Sequence, residues 1–353
     1  MKKTLFFLST LLISCLTFSQ SSTQWLFNPD LQGKRIGLVC NHTSFVDSIH
    51  RIDYLLQNNY NLLAVFTPEH GLTGLAEAGE KVNDSTIRDG KIIVRSLYGK
   101  TKKPKKEWLN DIDIMLFDLQ DVGCRFYTYI STLEYVMQAC IESNIPLIVY
   151  DRPNPNNFVD GPVLEPKYRS FVGMQPIPVC YGLTIGEYAM MINQEHWVDK
   201  DQMCNLLVVP MKNYNRDEQN PLPIAPSPNL QTLQAIINYP TLCFFEGTPF
   251  SVGRGTPTPF ETVFLEAEKT KTKLCFNKIK LASKKIELAF ILKIYKESNL
   301  KEKFFNSFFD KLAGTDQLRK QILEGKSEEQ IRESWEADIE KYLQIRDKYL
   351  IYF

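Results

Sequence analysis

The chain has 353 residues, 44% of them hydrophobic and 23% charged, and its 41 Lys and Arg balance its 41 Asp and Glu to a formal net charge of +0. That length exceeds what one ordinary core supports, so two domains are expected, and the composition excludes disordered, collagen-like and coiled-coil classes. With no basic excess and no Lys/Arg stripe interleaved with aromatics, a nucleic-acid partner is excluded too.

Lys2 and Lys3 precede an apolar run, Leu5 to Leu16, that passes into Thr17-Phe18-Ser19-Gln20. This is the order of regions in a secretory signal peptide, and the run is too short for a permanent membrane span. Residues 1–20 are therefore read as a leader and the mature protein as exported and periplasmic, with no transmembrane segment. Leu12-Ile13-Ser14-Cys15 resembles a lipobox, so two readings stand: cleavage after Ser19 or Gln20, or a lipoprotein anchored through Cys15. The other cysteines (Cys40, Cys124, Cys140, Cys180, Cys204, Cys243 and Cys275) are odd in number and scattered, without a CxxC pair. They fit neither a disulfide framework nor a zinc motif and read as small buried apolar residues.

From Leu31 strands and helices alternate. Arg35 to Cys40 is a continuous apolar strand. Ile49 to Gln57 has helical spacing, and Leu62 to Phe66 and Ile92 to Leu97 read as further strands. The basic run Lys100 to Lys106 reads as a solvated loop leading into a short helix at Trp108 and Leu109. A strand over Ile112 to Phe117, a helix over Ser131 to Ser143 and a strand over Pro146 to Tyr150 follow. After them come a helix over Thr184 to Trp197 and a strand over Leu206 to Pro210. Apolar strands without polar alternation, separated by helices, predict a parallel sheet covered on both faces, that is, a doubly wound α/β domain. Asn220 to Pro228 is Pro-rich and predicts a rigid crossing loop. Beyond Tyr239 the pattern turns to Gly and Pro punctuation and then to long amphipathic helices. The last opens with a capping-box pattern at Ser327 to Gln330. The boundaries are 25–238 for the first domain and 239–353 for a smaller second one.

Ligands of open parallel sheets bind beyond the carboxyl ends of the strands. Asn41-His42-Thr43 follow the first strand, and Thr67-Pro68-Glu69-His70-Gly71 follow the second. Asp118, Gln120, Asp121, Arg125, Tyr127 and Tyr129 follow the strand at 112–117; Asp151, Arg152 and Asn154 follow the next. Glu69 emerges from a buried strand between a proline and a glycine that fix a tight turn. Partial burial favours the protonated carboxyl and suits it to proton donation. Asp118, Asp121, Asp151 and Glu165 are candidates for the second carboxylate of a glycosidase pair, although Asp118 and Asp151 equally suit helix caps or loop ties. His70, Asp118, Asp121 and Asp151 also allow a metal-dependent hydrolase, but HExxH and Asp-x-His are absent and no metal or cofactor is expected. GxGxxG and GxSxG are absent too, which excludes dinucleotide and serine-esterase readings. Gly253-Arg254-Gly255-Thr256 lacks the ending of a P-loop; it would let Arg254 approach an anion, or serve as a plain turn.

Several longer segments carry a resemblance. They are Pro68 to Gly71, Asp118 to Gly123 with Arg125 to Tyr129, Asp151 to Pro155, Asp160 to Glu165, Phe245 to Thr248 with Ser251 to Thr256, and Ile345 to Leu350. Together, from about Gly33 to the C-terminus, the chain resembles the NamZ-type exo-β-N-acetylmuramidases. The resemblance implies a Rossmann-like N-terminal domain, a smaller α+β C-terminal domain and a cleft where they meet. It implies release of N-acetylmuramic acid from the non-reducing end of a muropeptide or muramyl-glucosamine saccharide, with Glu69 as a catalytic carboxylate. Glu165, Asp118, Asp121 and Glu246 are candidates for its partner. The lactyl carboxylate of the sugar requires a cationic contact, for which Arg254, Arg125 and Arg152 are candidates. Asn41, His70, Tyr127, Tyr129, Asp151 and Glu246 complete the expected binding residues. One departure stands out: Phe260 to Phe276 is shorter than the Pro-rich stretch usual in the family, which would wall the cleft. A degenerate, non-catalytic muropeptide-binding protein is therefore the alternative to an active enzyme.

Overall fold

The computed structural model describes residues 31–76, 80, 83–218, 220–265, 274–281 and 284–352. The leader at 1–20, with Cys15, lies outside them, as does the middle of the shortened stretch, 266–273. Seven strands form the main sheet: β1 (Arg35–Cys40), β2 (Asn61–Thr67), β3 (Ser85–Ile87), β4 (Ile92–Ser96), β5 (Ile114–Asp118), β6 (Leu147–Tyr150) and β7 (Leu206–Val209). Their order is β7-β6-β5-β1-β2-β4-β3. Every pairing is parallel except the edge, where β3 runs antiparallel to β4. The sheet is therefore mostly parallel, as the sequence pattern predicts, with one antiparallel strand at its edge. Ser85-Thr86-Ile87 is short, partly polar and exposed, so it carried no strand signal.

Strand side chains alternate between faces. Here both sets are apolar. Leu38, Val65 and Leu116 belong to one buried cluster, while Val39, Phe66 and Phe117 belong to the other. That is why the strands read as unbroken apolar runs. Helix α1 (Arg51–Gln57) covers the first face with Ile52 and Leu55; it starts at Arg51 because Ile49–His50 pairs with Phe45–Val46 instead. Helix α2 (Tyr129–Ser143) covers the second with Ile130, Leu133, Val136 and Met137. Helix α3 (Ile185–Gln194) is opened by a capping box of Thr184 and Glu187.

The chain steps outward from β1 through β2 to β4, then returns to β5 on the other side of β1. The carboxyl ends of β1 and β5 thus mark the topological switch point, where a crevice opens.

The remaining chain forms helices α4 (Leu233–Leu242), α5 (Leu288–Ser298), α6 (Ser307–Ala313), α7 (Gln317–Leu323) and α8 (Glu328–Arg346), with a three-stranded antiparallel sheet of Phe250–Ser251, Val263–Leu265 and Cys275–Phe276. Only α8 is long; its capping box joins Ser327 and Gln330, as read from the sequence. Residue 239 lies inside α4. The core of this part is continuous with one face of the main sheet, since Phe245, Phe309, Ile331 and Tyr342 join the cluster of Val39 and Phe117. Six of the seven described cysteines are buried, and Cys275 is exposed.

Candidate active site

Pro68 to Gly71 closes a tight turn at the end of β2. The Gly71 amide donates to the Pro68 carbonyl at 3.1 Å, and His70 and Gly71 have φ of 73° and 71°. Left-handed backbone at a histidine is uncommon and is kept only where surroundings fix it. Here the His70 ring does so: its Nδ1 lies 2.6 Å from the Ala76 carbonyl, which can only accept, so Nδ1 carries the proton. This turn presents Glu69, half-buried, to a cavity of about 680 Å³. Thr128 donates its hydroxyl to Glu69 Oε2 at 2.8 Å. Behind them Asn41 Nδ2 donates to the Tyr129 hydroxyl at 2.9 Å, which in turn donates to the Glu69 carbonyl at 3.4 Å. The residues following β1, β2 and β5 are thus tied into one unit at the switch point.

The cavity walls come from both parts of the chain. Glu69, His70 and Phe126 to Tyr129 stand on one side, and Tyr239, Glu246, Arg254, Phe260, Phe308 and Leu312 on the other. Glu246 and Arg254 form an ion pair at 2.6 Å. Burial works against the guanidinium charge, but Glu246 overcomes it and raises the pKa of Arg254 above its ordinary value. The Tyr127 hydroxyl donates to the Pro226 carbonyl at 2.9 Å, anchoring the Pro-rich crossing loop, and its ring meets Tyr129 edge-on at 4.7 Å.

Several residues singled out by sequence lie elsewhere. Asp118 is fully buried, bound by Arg51 at 2.8 Å and Arg152 at 2.5 Å. Burial alone would raise its pKa; Arg152 and Arg51 outweigh that and hold it below the usual value. Arg152 is committed to this triad and to the Phe45 carbonyl at 2.9 Å. Asp151 accepts from Thr184, Gly186, Tyr352 and its neighbour's amide, and burial pushes it up to about 6. It ties α3 and the C-terminal tail to β6. Asp121 is buried behind the wall, hydrogen-bonded by Tyr181 and the Gly123 amide, and burial pushes it up to about 7. Arg125 is fully buried; its Nη1 donates to the carbonyls of Pro162 and Ile177 and its Nη2 to those of Leu312 and Ala313, at 2.7 to 2.9 Å. Desolvation lowers its pKa to about 9. Glu165 lies at a separate surface pocket, accepting from Thr315 and paired with Lys167 at 3.1 Å. Of the expected partners of Glu69, Glu246 is the one lining the same cavity. Among the described residues, no three or more His, Cys, Asp or Glu side chains are grouped to hold a metal ion.

The sequence reading passed over Tyr98, Gly99, Lys102, Phe171 and Val172, which form a further wall. The strand-end rule reaches Tyr98 once applied to β4. Lys102 was taken for a solvated loop lysine, and Phe171 sits on a loop with no strand before it.

Comparison with known proteins places these features in context. Residues 36–234 match the family described as exo-beta-N-acetylmuramidase NamZ, N-terminal. Residues 237–282 and 272–352 match its C-terminal counterpart. Peptidoglycan beta-N-acetylmuramidase NamZ of Bacillus subtilis is 39% identical over 371 residues, covering 92% of this chain and 89% of that protein. Two crystal structures of DUF1343 family proteins from Bacteroides fragilis superimpose with TM-scores of 0.82 and 0.77. They are 38% and 30% identical, covering 93% and 92% of this chain and 97% and 96% of those.

Proposed function

The chain belongs to the exo-β-N-acetylmuramidase NamZ family, and from that premise we propose that it is a peptidoglycan glycosidase that releases N-acetylmuramic acid from the non-reducing end of muramyl-glucosamine saccharides, with Glu69 as the catalytic carboxylate. The observation that carries the assignment is Glu69 itself, aimed by a strained turn into the cavity at the switch point and held there by Thr128. In this reading Glu69 delivers its proton to the glycosidic oxygen as the bond from that oxygen to the anomeric carbon breaks. Water adds to the anomeric carbon and loses its proton to a base, leaving two hydroxyl-terminated sugars. The second carboxylate falls to Glu246, on the facing wall. Its pairing with Arg254 at 2.6 Å orients it. Tyr239, Phe260 and Phe126 supply apolar surface for the sugar. The cavity volume is in the range of small-ligand sites, typically ~300–1,000 Å³.

The test is incubation of purified protein with the muramyl-glucosamine disaccharide, with product analysis, beside Glu69→Gln. The expected result is free N-acetylmuramic acid from the wild type and none from a variant that unfolds at the same temperature. Disaccharide bound without product by the wild type would instead support a binding protein. An undiminished rate in the variant would remove Glu69 from the mechanism.

A further inference from the structure

We infer that Lys102 is the cation that recognises the lactyl carboxylate of the sugar, and so the residue that separates muramic from glucosamine-type substrates at this site. The inference rests on the muramidase reading. It follows from accounting for each cation near the cavity. Arg125 is enclosed by four backbone carbonyls and does not reach the cavity surface. Arg152 is spent on Asp118 and the Phe45 carbonyl. Arg254 lines the cavity, but Glu246 at 2.6 Å neutralises its charge. His70 is fixed through Nδ1 on the Ala76 carbonyl.

Lys102 differs from all of these. It lines the cavity, half-buried, on the loop after β4. Of its neighbours in the basic run, Lys103 pairs with Glu142 at 2.7 Å and Lys105 lies 3.9 Å from Glu107. Among the described residues Lys102 forms no ion pair; its Nζ lies 4.3 Å from the centroid of the Phe171 ring. That ring is itself fixed, stacked on Tyr135 at 6.2 Å and 22° and flanked by Tyr98 at 6.2 Å. The ammonium therefore hangs over an aromatic surface with donors left for an acceptor.

Together these residues make a composite recognition surface. A cation held over a fixed aromatic ring at the cavity wall suits an anionic substituent of a sugar bound in the cavity. The charge balance agrees. With Glu246 paired to Arg254 at 2.6 Å, Lys102 is the cation on the wall that no carboxylate of the described residues meets, and a bound carboxylate supplies its counter-charge. A neutral sugar leaves the ammonium without its counter-charge in a partly desolvated place, which penalises the wrong substrate.

The experiment compares 4-nitrophenyl N-acetyl-β-muramide with its lactyl methyl ester, which keeps the size and loses the charge. Wild type is expected to favour the acid by roughly 10- to 100-fold in kcat/KM, the range of one charge-assisted hydrogen bond. Lys102→Met should collapse that ratio toward unity, chiefly through a raised KM for the acid, and Lys102→Arg should restore most of it. A ratio near unity in the wild type, or one that survives Lys102→Met, overturns the inference. Calorimetric binding of N-acetylmuramic acid needs no turnover and keeps the two claims apart. If neither glycoside is cleaved yet Lys102→Met weakens binding of the acid about tenfold or more, the muramidase reading fails and the recognition claim stands. Unchanged binding sinks the recognition claim alone.

Discussion

Two sets of charged residues surround the strand ends, and they do opposite work. Away from the cavity, Asp118, Arg51, Arg152, Asp151 and Arg125 bond to one another, to backbone groups or to hydroxyls, and all but the part-exposed Arg152 are buried. Along the cavity wall, Glu69, Glu246, Arg254 and Lys102 face open space. Acids and basic residues occur in both sets. What separates them is whether they line the cavity. A charge engaged away from it holds architecture, whereas one with a side toward the cavity is available to a substrate.

That contrast is sharpest in the largest expected effect. Glu69→Gln should lower kcat by ~10²- to 10⁴-fold, the usual contribution of a positioned general acid, with thermal unfolding unchanged. Asp118→Asn should do the reverse. It strands Arg51, whose side chain is 4% exposed and whose guanidinium lies 3.7 Å from the Tyr150 ring centroid. Removing one partner of a buried ion pair costs about 3–5 kcal/mol, so urea unfolding should show the loss while any remaining folded protein stays active. A variant that loses activity at full stability would move Asp118 from architecture to chemistry.

Asp121 gives a pH-dependent test. Burial raises its pKa from 3.8 to about 7, so between those values the folded chain holds a proton that the unfolded chain has released. Stability from this group is present below the unfolded value and is lost as pH rises through the folded one. Relative to Asp121→Asn, the wild-type unfolding temperature should therefore fall from about pH 5 to about pH 8. A constant difference between the two proteins would show no proton uptake on folding. The smallest effect is expected at Thr128→Val, which removes the hydroxyl on Glu69 and leaves its volume. A loss of about tenfold or less in kcat/KM is expected, in line with one ordinary hydrogen bond. A larger loss would mean that Thr128 meets the substrate itself.

Much of the frame was legible in the sequence because its physics is local. β1, β2, β5, β6 and β7 announce themselves as apolar runs, and α8 by its capping box. β3 was missed because an exposed edge strand has no need of apolar residues, and the pairing of Ile49–His50 because two residues carry no period. The second part was read as a set of long helices, yet α6 and α7 are seven residues each, with lengths set by packing against their neighbours. In the site, Glu69 was legible because Pro and Gly flank it in sequence. The commitment of Asp118 was not, since Arg51 stands 67 positions away. Nor was Lys102 distinguishable from Lys103 until the fold set one over Phe171 and the other against Glu142.

Arg125 carries a last consequence. Its guanidinium bolts the segments at Pro162 and Ile177 to the end of α6 at Leu312 and Ala313, so the two walls are riveted rather than hinged. A clamshell motion would break several buried hydrogen bonds at once. The sugar thus meets a receptacle whose shape was settled when the chain folded, and the ordering penalty of capture is largely met before any ligand arrives.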